Sequence, residues 1–215
     1  MADKLIALET RDQDLQRLFS PSAARNRDPV LQALQSILPA RGAALEIASG
    51  TGEHVVHFAR DLTGWTFQPT EFDAASRQSV SAWITYEGLA NVLQPIALDA
   101  SADVWSVENA TPFDAVLSLN MVHIAPWAAV TGLFRGAGRV LKTGGLFCLY
   151  GPFKENGVHN APSNGDFDEN LRARNPDWGV RDILDLQTLA RENGLNLHER
   201  RALPANNQML VFVRG

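Results

Sequence analysis

From residue 42 onward, short apolar runs alternate with stretches in which apolar residues recur at helical spacing. The apolar runs predict seven strands, at residues 43–48, 65–71, 91–99, 113–120, 144–151, 195–204 and 207–215. The helical spacing predicts helices over residues 52–61, 74–87, 127–141 and 185–194. Strands that alternate with helices are typical of a parallel, doubly wound sheet.

The last two apolar runs are separated only by the polar turn "PANN", residues 204–207. A parallel crossover needs about a dozen residues or more, so these two strands are predicted to form an antiparallel hairpin. The sequence thus predicts a single α/β domain over residues 1–215. Its sheet is expected to be Rossmann-like, doubly wound, seven-stranded and mostly parallel, with the antiparallel hairpin at its C-terminal end.

Two segments lie outside this alternation. Residues 1–40 show helical spacing interrupted by Pro21 and Pro29, which predicts an N-terminal helical cap with a turn at residues 20–29. Residues 151–182 are rich in Gly, Pro, Asn and Asp and predict a long irregular loop. Loops of this length in a compact domain are usually functional lids or disordered segments, and the interleaved Phe153, Phe167 and Trp178 favour ordered packing. We therefore expect this loop to cover a substrate.

The composition is that of an ordinary globular chain, with 45% hydrophobic and 20% charged residues. The net charge of −5 provides no basic surface for a nucleic-acid backbone, so no nucleic-acid partner is expected. The single cysteine, Cys148, excludes an intrachain disulfide. The sequence shows no signal peptide and no apolar run near the roughly 20 residues that span a bilayer, so we expect a cytoplasmic protein without a membrane partner.

The candidate chemistry is concentrated at "LEIASGTGEH", where the first predicted strand ends in Gly50 and Gly52. Backbone N–H groups in a glycine turn that opens a helix attract anionic or carboxylate groups. An acid about 20 residues later, at the end of the second strand, can accept both hydroxyls of a ribose. Glu71 and Asp73 both fit that role, and Asp99 after the third strand is a candidate for the exocyclic amine of adenine.

A dinucleotide such as NAD is the competing ligand for this turn. The dinucleotide fingerprint has a third glycine where this chain has Val55, and Glu46 precedes the glycines within the strand. A carboxylate this close to the turn would repel a pyrophosphate. It suits a ligand that carries a cationic amine and a sulfonium, and S-adenosylmethionine carries both.

The chain resembles the class I S-adenosylmethionine-dependent methyltransferases in the order of "LEIASGTGEH", "PTEFD", "ALDAS" and "FDAVLSLNMVHIAPW". More narrowly, "FSPSAARNRDPVL", "GPFKENGVH" and "SNGDFDENLRARNPDWGVRD" are similar to the family of methyltransferase-like protein 26, formerly a domain of unknown function. The resemblance covers nearly the whole chain and implies a class I fold with S-adenosyl-L-methionine as cofactor. It supplies no acceptor, which we expect to be a small molecule or a protein.

With the resemblance added, the candidate site has a cofactor part and an acceptor part. Glu71 stands where the resemblance leads us to expect Asp, and either carboxylate can bind a ribose. His54 and His57 lie on one helix face without a third ligand, so no metal site is predicted. The candidate catalytic residues are His123, Tyr150 and His159, and the cofactor-binding set is Arg25, Asn26, Glu46, Ala48, Ser49, Gly50, Thr51, Gly52, Glu71, Phe72, Asp99, Ala100 and Asn120.

Three functions stay open on the sequence. The first is a methyltransferase, the second a non-catalytic module of the same fold that binds the cofactor, and the third an NAD-dependent oxidoreductase. Methyl transfer from a sulfonium gains mainly from alignment, so the absence of a dedicated catalytic group does not separate the first two. The preferred ligand separates the third from the others.

Overall fold

The computed structural model describes residues 12–14, 16–108 and 112–215, and its core is a sheet with helices on both faces. The α-helices are α1 (Pro21–Ile37), α2 (Glu53–Asp61), α3 (Ala74–Glu87), α4 (Trp127–Val140), α5 (Pro162–Arg174) and α6 (Ile183–Glu192), and a 3-10 helix spans Met121–His123. The strands are β1 (Asp12–Asp14), β2 (Arg17–Phe19), β3 (Gly42–Ile47), β4 (Trp65–Thr70), β5 (Phe113–Leu119), β6 (Leu141–Gly151), β7 (Phe153–Glu155), β8 (Val158–His159), β9 (Arg181–Asp182), β10 (Leu195–Leu203) and β11 (Asn207–Arg214).

The main sheet has six strands in the order β10-β11-β6-β5-β3-β4. Strands β3, β4, β5 and β6 are parallel, whereas β11 is antiparallel to both β6 and β10. The predicted α/β fold with a mostly parallel sheet and an antiparallel C-terminal hairpin is confirmed. Because parallel strands end at the same edge, the segments that follow β3, β4, β5 and β6 meet there.

The prediction of seven strands is wrong, because the run at 91–99 forms no continuous strand. It makes only two isolated parallel bridges to β4, at Val92 and Ile96. Pro69 in β4 and Pro95 in the run have no backbone N–H to donate to the ladder between them. The side-chain amide of Gln68 donates to the carbonyl oxygen of residue 94 instead, at 2.9 Å.

The predicted turn at residues 20–29 is also wrong, because α1 runs through it. Ser20 caps the helix by accepting a hydrogen bond from the backbone N–H of Ala23, and Pro21 occupies the first turn, where no intrahelical donor is needed. Pro29 lies inside the helix, and the helix continues on both sides of it. Before α1 the chain forms the β1–β2 hairpin, and the rest of the predicted cap, residues 1–11 and 15, lies outside the described residues.

Residues 151–182 form regular secondary structure, in contrast to the predicted irregular loop. Strands β7, β8 and β9 form a small separate sheet, and α5 lies between β8 and β9. The buried positions of α5 are Asn164, Asp168 and Leu171, which have helical spacing but are mostly polar. A helix that buries polar residues gives no apolar period, so the sequence pattern did not reveal it.

The hydrophobic core consists of two layers, one on each face of the sheet. Helices α4 and α6 cover one face, where Phe134, Phe147 and Phe212 pack against one another. Helices α1, α2 and α3 cover the other face around Phe58 and Trp65. Of the helices in the described ranges, none combines the length and the hydrophobicity that crossing a membrane requires.

Candidate active site

The turn after β3 adopts a left-handed backbone at three positions. The φ angles are +59° at Ala48, +58° at Gly50 and +93° at Gly52. A Cβ placed on Gly50 would meet no atom within 4 Å, whereas one on Gly52 would lie 2.8 Å from the Cα of Val80 in α3. Gly50 therefore borders open space, and Gly52 allows the close approach of α3 to the turn.

Glu71 connects the end of β4 to this turn. Its Oε2 accepts a hydrogen bond from the backbone N–H of Gly50 at 2.8 Å, and its Oε1 accepts one from the N–H of Asp73 at 3.0 Å. The Asp73 side chain caps α3 by accepting from the N–H of Ser76 at 2.7 Å. Of the two acids that the sequence left open, Glu71 is the one that the structure places at the glycine turn.

Glu46 is a buried carboxylate in β3, only 2% exposed. Its Oε2 forms no hydrogen bond of ordinary geometry with a described residue. Burial raises the pKa of Glu46 to about 7; the interaction with the Ser49 hydroxyl lowers the pKa in part, and the charge of Glu71 makes a smaller contribution that raises it. A buried carboxylate without a partner is costly, so this position suits a ligand group that donates hydrogen bonds or carries positive charge.

Three further residues of the predicted cofactor-binding set, Phe72, Asp99 and Ala100, have different environments. Phe72 is 65% exposed and directly follows Glu71, so its ring is free to cover a flat ligand. Asp99 is exposed and accepts hydrogen bonds from the Ser101 N–H at 2.8 Å and the Ser101 hydroxyl at 2.6 Å. Ala100 is buried in the core beside α4. In the structure Asp99 orders a turn, and its role toward adenine stays a prediction.

Asn120 ends β5 with a left-handed backbone, φ +60°. Its N–H donates to the carbonyl oxygen of Tyr150 at 2.8 Å, and its own carbonyl accepts from the N–H of His123 at 3.1 Å. Ala48 at the end of the adjacent β3 is in the same strained region. Non-glycine residues in this region cost about 1–3 kcal/mol and are concentrated at functional sites.

Helix α1 brings Asn26 and Arg25 to the same edge of the sheet. Asn26 Oδ1 accepts a hydrogen bond from His54 Nε2 at 2.6 Å. Burial lowers the pKa of His54 to about 3, so its ring is neutral. Tyr150 is 2% exposed, and burial raises the pKa of its hydroxyl, although the side chains of Asn26 and Asn207 and the charge of Arg25 partly offset this effect.

His54 and Asn207 are thus neighbours of the candidate residues that sequence reasoning did not select. His54 had a detectable signal, because it follows the glycine turn on the first helix after β3. Asn207 had none, since the start of β11 is far from the turn in sequence and only the sheet order brings it beside Tyr150.

His123 lies in the core and not in an open cleft. It is fully buried, and neither ring nitrogen has a hydrogen-bond partner among the described residues. The ring packs edge-on against Phe153 at 5.1 Å, and a Cβ on Gly151 would lie 2.3 Å from its Nε2. Burial lowers the pKa of His123 to about 3, so its ring is neutral. Its catalytic role stays a prediction.

His159 belongs to a cluster around Asp168, a buried residue that the sequence did not single out. The carboxylate of Asp168 lies 3.3 Å from His159 Nε2, 3.4 Å from Lys154 Nζ and 3.1 Å from Arg172 Nε. It also accepts a hydrogen bond from the N–H of Val180 at 2.7 Å. Burial raises the pKa of Asp168, but the Val180 hydrogen bond and the two cations outweigh it and lower the pKa. Asp168 therefore connects the parts of the 151–182 segment.

A cavity of about 290 Å³ lies between this segment and the beginning of α4. Its walls include Trp127, Lys154, Arg172 and Arg181. Arg181 donates to the carbonyl oxygens of residues 122 and 125 at 2.8 and 2.7 Å, which holds the 151–182 segment against the loop after β5. Within residues 12–14, 16–108 and 112–215, no cluster of three or more His, Cys, Asp or Glu side chains has an arrangement that suits a metal ion.

The fold is similar to those of several solved methyltransferases. An O-methyltransferase family protein from Burkholderia thailandensis matches with a TM-score of 0.76 and 15% identity, over 90% of this chain and 57% of that chain. The mitomycin 7-O-methyltransferase MmcR matches with a TM-score of 0.76 and 14% identity, over 90% of this chain and 54% of that chain. CalO1, a methyltransferase in calicheamicin biosynthesis in its SAH-bound form, matches with a TM-score of 0.72 and 14% identity, over 90% and 54%.

These comparisons show that the chain has a class I methyltransferase fold, and that it spans little more than half the length of those proteins. The narrower similarity to the family of methyltransferase-like protein 26 stays a prediction. A family model described as "Protein of unknown function (DUF938)" matches residues 17–214, which is nearly the whole chain. The chain belongs to this family.

Proposed function

We propose that the chain is an S-adenosylmethionine-dependent methyltransferase that acts on a small molecule or a protein. The observation that supports this most directly is Glu46, a buried carboxylate with an unpartnered oxygen in the strand that leads into the open glycine turn. A cationic amine would satisfy that carboxylate. The amine of the methionine moiety is such a group.

The other acids at the turn fit the same ligand. Glu71 accepts one N–H on each carboxylate oxygen, and a carboxylate has about four lone-pair positions, so two remain for ribose hydroxyls. Glu46 and Glu71 lie close enough for the charge of Glu71 to raise the pKa of Glu46. Two carboxylates at one turn favour a cationic ligand over the pyrophosphate of a dinucleotide.

The chain's own contribution to methyl transfer would be alignment and the exclusion of water. When bound, the cofactor supplies a methyl group that its sulfonium already activates. Alignment of two reactants contributes about 7–11 kcal/mol in favourable intramolecular cases. The ordered 151–182 segment and α1 flank the edge where Asn120 and Tyr150 lie, and we propose that they enclose the acceptor. With a net charge of −5, we expect no nucleic-acid acceptor.

Calorimetric titration tests cofactor binding. The protein should bind S-adenosylmethionine and S-adenosylhomocysteine in preference to NAD. Glu46→Gln keeps the side-chain shape but removes the charge, and should weaken binding of both compounds about ten- to hundredfold, the range expected for a charged hydrogen bond. Glu199→Gln removes a carboxylate from β10, at the opposite edge of the sheet from β4, and should bind like the wild type. Preferential binding of NAD, or no binding of either sulfur compound at millimolar concentration, would contradict the proposal.

A second experiment tests catalysis. The protein is incubated with cofactor labelled in its methyl group and with an extract of metabolites and proteins, and the labelled product is then identified. We expect label to appear in one class of acceptor, and Glu46→Gln should reduce it. Tight cofactor binding with no transfer to any acceptor would indicate a non-catalytic binding module.

A further inference from the structure

The N-terminal β1–β2 hairpin is docked on α3 by an aromatic cluster. The guanidinium of Arg17 lies 3.6 Å from the ring centroid of Tyr86 and 4.7 Å from that of Trp83. Trp83 also donates its Nε1–H to the carbonyl oxygen of Leu18 at 3.1 Å. The hairpin is therefore held by stacking and by a directional hydrogen bond, and Arg17 is 6% exposed.

From Leu18 in the docked hairpin and from Ser20, which directly follows it and caps α1, two hydrogen-bond relays reach the glycine turn at Thr51. In the first, the N–H of Leu18 donates to the hydroxyl of Ser79 at 2.7 Å, and that hydroxyl donates to the Thr51 carbonyl oxygen at 2.7 Å. In the second, Glu53 Oε2 accepts from the N–H of Ser20 at 2.6 Å and from the Thr51 hydroxyl at 2.9 Å. Ser79 is fully buried, and Glu53 and Thr51 are 3% and 5% exposed.

The position of Thr51 gives these relays their significance. Thr51 lies between Gly50, which borders the open space, and Gly52, whose missing side chain lets α3 approach closely enough for the Ser79 contact. The carbonyl and the hydroxyl of Thr51 are both held by contacts that continue to Leu18 and Ser20. If the hairpin detached, the Ser79 hydroxyl would lose a buried partner, and so would the Glu53 carboxylate if Ser20 moved with the hairpin.

We propose that Ser79 and Glu53 are positioning residues that couple docking of the N-terminal hairpin to the geometry of the cofactor turn. This proposal rests on the proposed function. Coupling between two sites is reciprocal, so a docked hairpin should strengthen cofactor binding, and bound cofactor should stabilise the docked hairpin to the same extent. The hairpin thus acts as a strap that holds the cofactor turn in its binding geometry.

The experiment uses the full chain and S-adenosylhomocysteine as the probe. Saturating probe should slow hydrogen exchange at the Leu18 and Ser20 amides, which donate into the two relays. Trp83→Phe removes the hydrogen bond from the indole N–H to the hairpin, and that N–H bonds to no residue of the glycine turn. Ser79→Ala breaks the first relay. Each variant should weaken binding about three- to tenfold, the range of one net hydrogen bond.

Thr85→Ala is the matched control, because the Thr85 hydroxyl donates to the Ser81 carbonyl oxygen of the same helix and takes part in neither relay. It should retain both the wild-type dissociation constant and the slowed exchange of the hairpin. If Trp83→Phe and Ser79→Ala melt at lower temperature but bind with wild-type affinity, the role of the relays is only structural and the proposal is wrong. If Ser79→Ala does not fold, Trp83→Phe decides. Failure of the wild type to bind the probe would instead overturn the proposed function.

Discussion

Gly50 and Gly52 lie two residues apart in the turn after β3, and they meet different physical requirements. Gly50 borders open space, so its missing side chain leaves room for a ligand. Gly52 touches α3, so its missing side chain allows two elements to pack. Substitution at the two positions should therefore separate loss of binding from loss of folding.

We expect Gly50→Val to abolish binding of S-adenosylhomocysteine while the fold persists, because the branched side chain would enter the open space. The left-handed backbone at Gly50 adds strain of about 1–2 kcal/mol. Gly52→Val should lower the melting temperature much more, since its Cβ would lie 2.8 Å from a backbone atom of Val80. Thermal melts and calorimetric titrations of both variants check this. Wild-type affinity in Gly50→Val would contradict the placement of the ligand at the turn.

Glu46 should make cofactor binding depend on pH. Its pKa is raised from 4.5 to about 7 in the fold, so the carboxyl is protonated at pH 6 and ionised at pH 8. A cationic amine binds the ionised form, so affinity for S-adenosylhomocysteine should be about tenfold higher at pH 8 than at pH 6. Binding below pH 7 should release a proton, which calorimetry in buffers of different ionisation enthalpy detects. Glu46→Gln should show neither effect.

The same carboxyl affects the ligand-free fold with the opposite sign. A group whose pKa is raised by folding stabilises the folded state fully below its unfolded pKa, here 4.5, and this contribution disappears as pH rises through about 7. Ionisation of Glu46 therefore strengthens ligand binding but lowers the stability of the ligand-free folded protein.

At the scale of elements, α5 and the small β8-β7-β9 sheet depend on Asp168. Four partners contact its carboxylate, and three of them lie in the 151–182 segment outside α5. Because the buried face of α5 is mostly polar, this segment has less apolar burial to hold it than the main sheet. Its stability should therefore be sensitive to one carboxylate.

We expect Asp168→Asn to lower the free energy of local opening of the 151–182 segment by about 1–3 kcal/mol, the cost of leaving buried partners unsatisfied. Hydrogen exchange should accelerate in this segment but not in β3 or β5. Asp166→Asn, on the exposed face of the same helix, is the control and should exchange like the wild type. Because the pKa of Asp168 is lowered in the fold, its contribution is present above 3.8 and is lost as pH falls through the folded pKa. Unchanged exchange in Asp168→Asn would contradict this role.

At the scale of the whole molecule, ligand binding at one edge of the sheet should stabilise the entire fold. The strands that carry the turn, β3 and β4, are hydrogen-bonded to each other within a single sheet of six strands. A ligand that binds only the folded state raises the free energy of unfolding by an amount that grows with the logarithm of its concentration relative to its dissociation constant.

S-adenosylhomocysteine at a hundred times its dissociation constant should add about 2.7 kcal/mol to the free energy of unfolding. For a chain of this size that corresponds to a rise of about 5–10 °C in melting temperature. NAD at the same concentration should leave the melting temperature of the wild type unchanged. S-adenosylhomocysteine should leave the melting temperature of Gly50→Val unchanged. Differential scanning calorimetry checks all three, and an equal rise with NAD would contradict the assignment of the ligand.

By itself, the sequence determined the features whose signal is local. Helix α3 spans Ala74–Glu87, as the apolar spacing predicts, and the short "PANN" turn correctly predicts the antiparallel hairpin. The glycine turn and Glu71 could be found because a strand, a turn and an acid at the next strand end recur at a set spacing. Periodicity and turn chemistry act within a few residues, so one chain is enough to show them.

Only the tertiary structure decided the features that depend on a distant partner. The run at 91–99 makes only two isolated bridges to β4, and Pro69 in that distant strand has no backbone N–H to donate to the run. The buried polar face of α5 finds partners outside the helix, since Lys154 and Val180 reach Asp168. The raised pKa of Glu46 arises from burial under elements far away in sequence. Desolvation and pairing are properties of the packed molecule. The sequence therefore identifies the candidate residues, whereas the fold determines their hydrogen-bond partners and their pKa values.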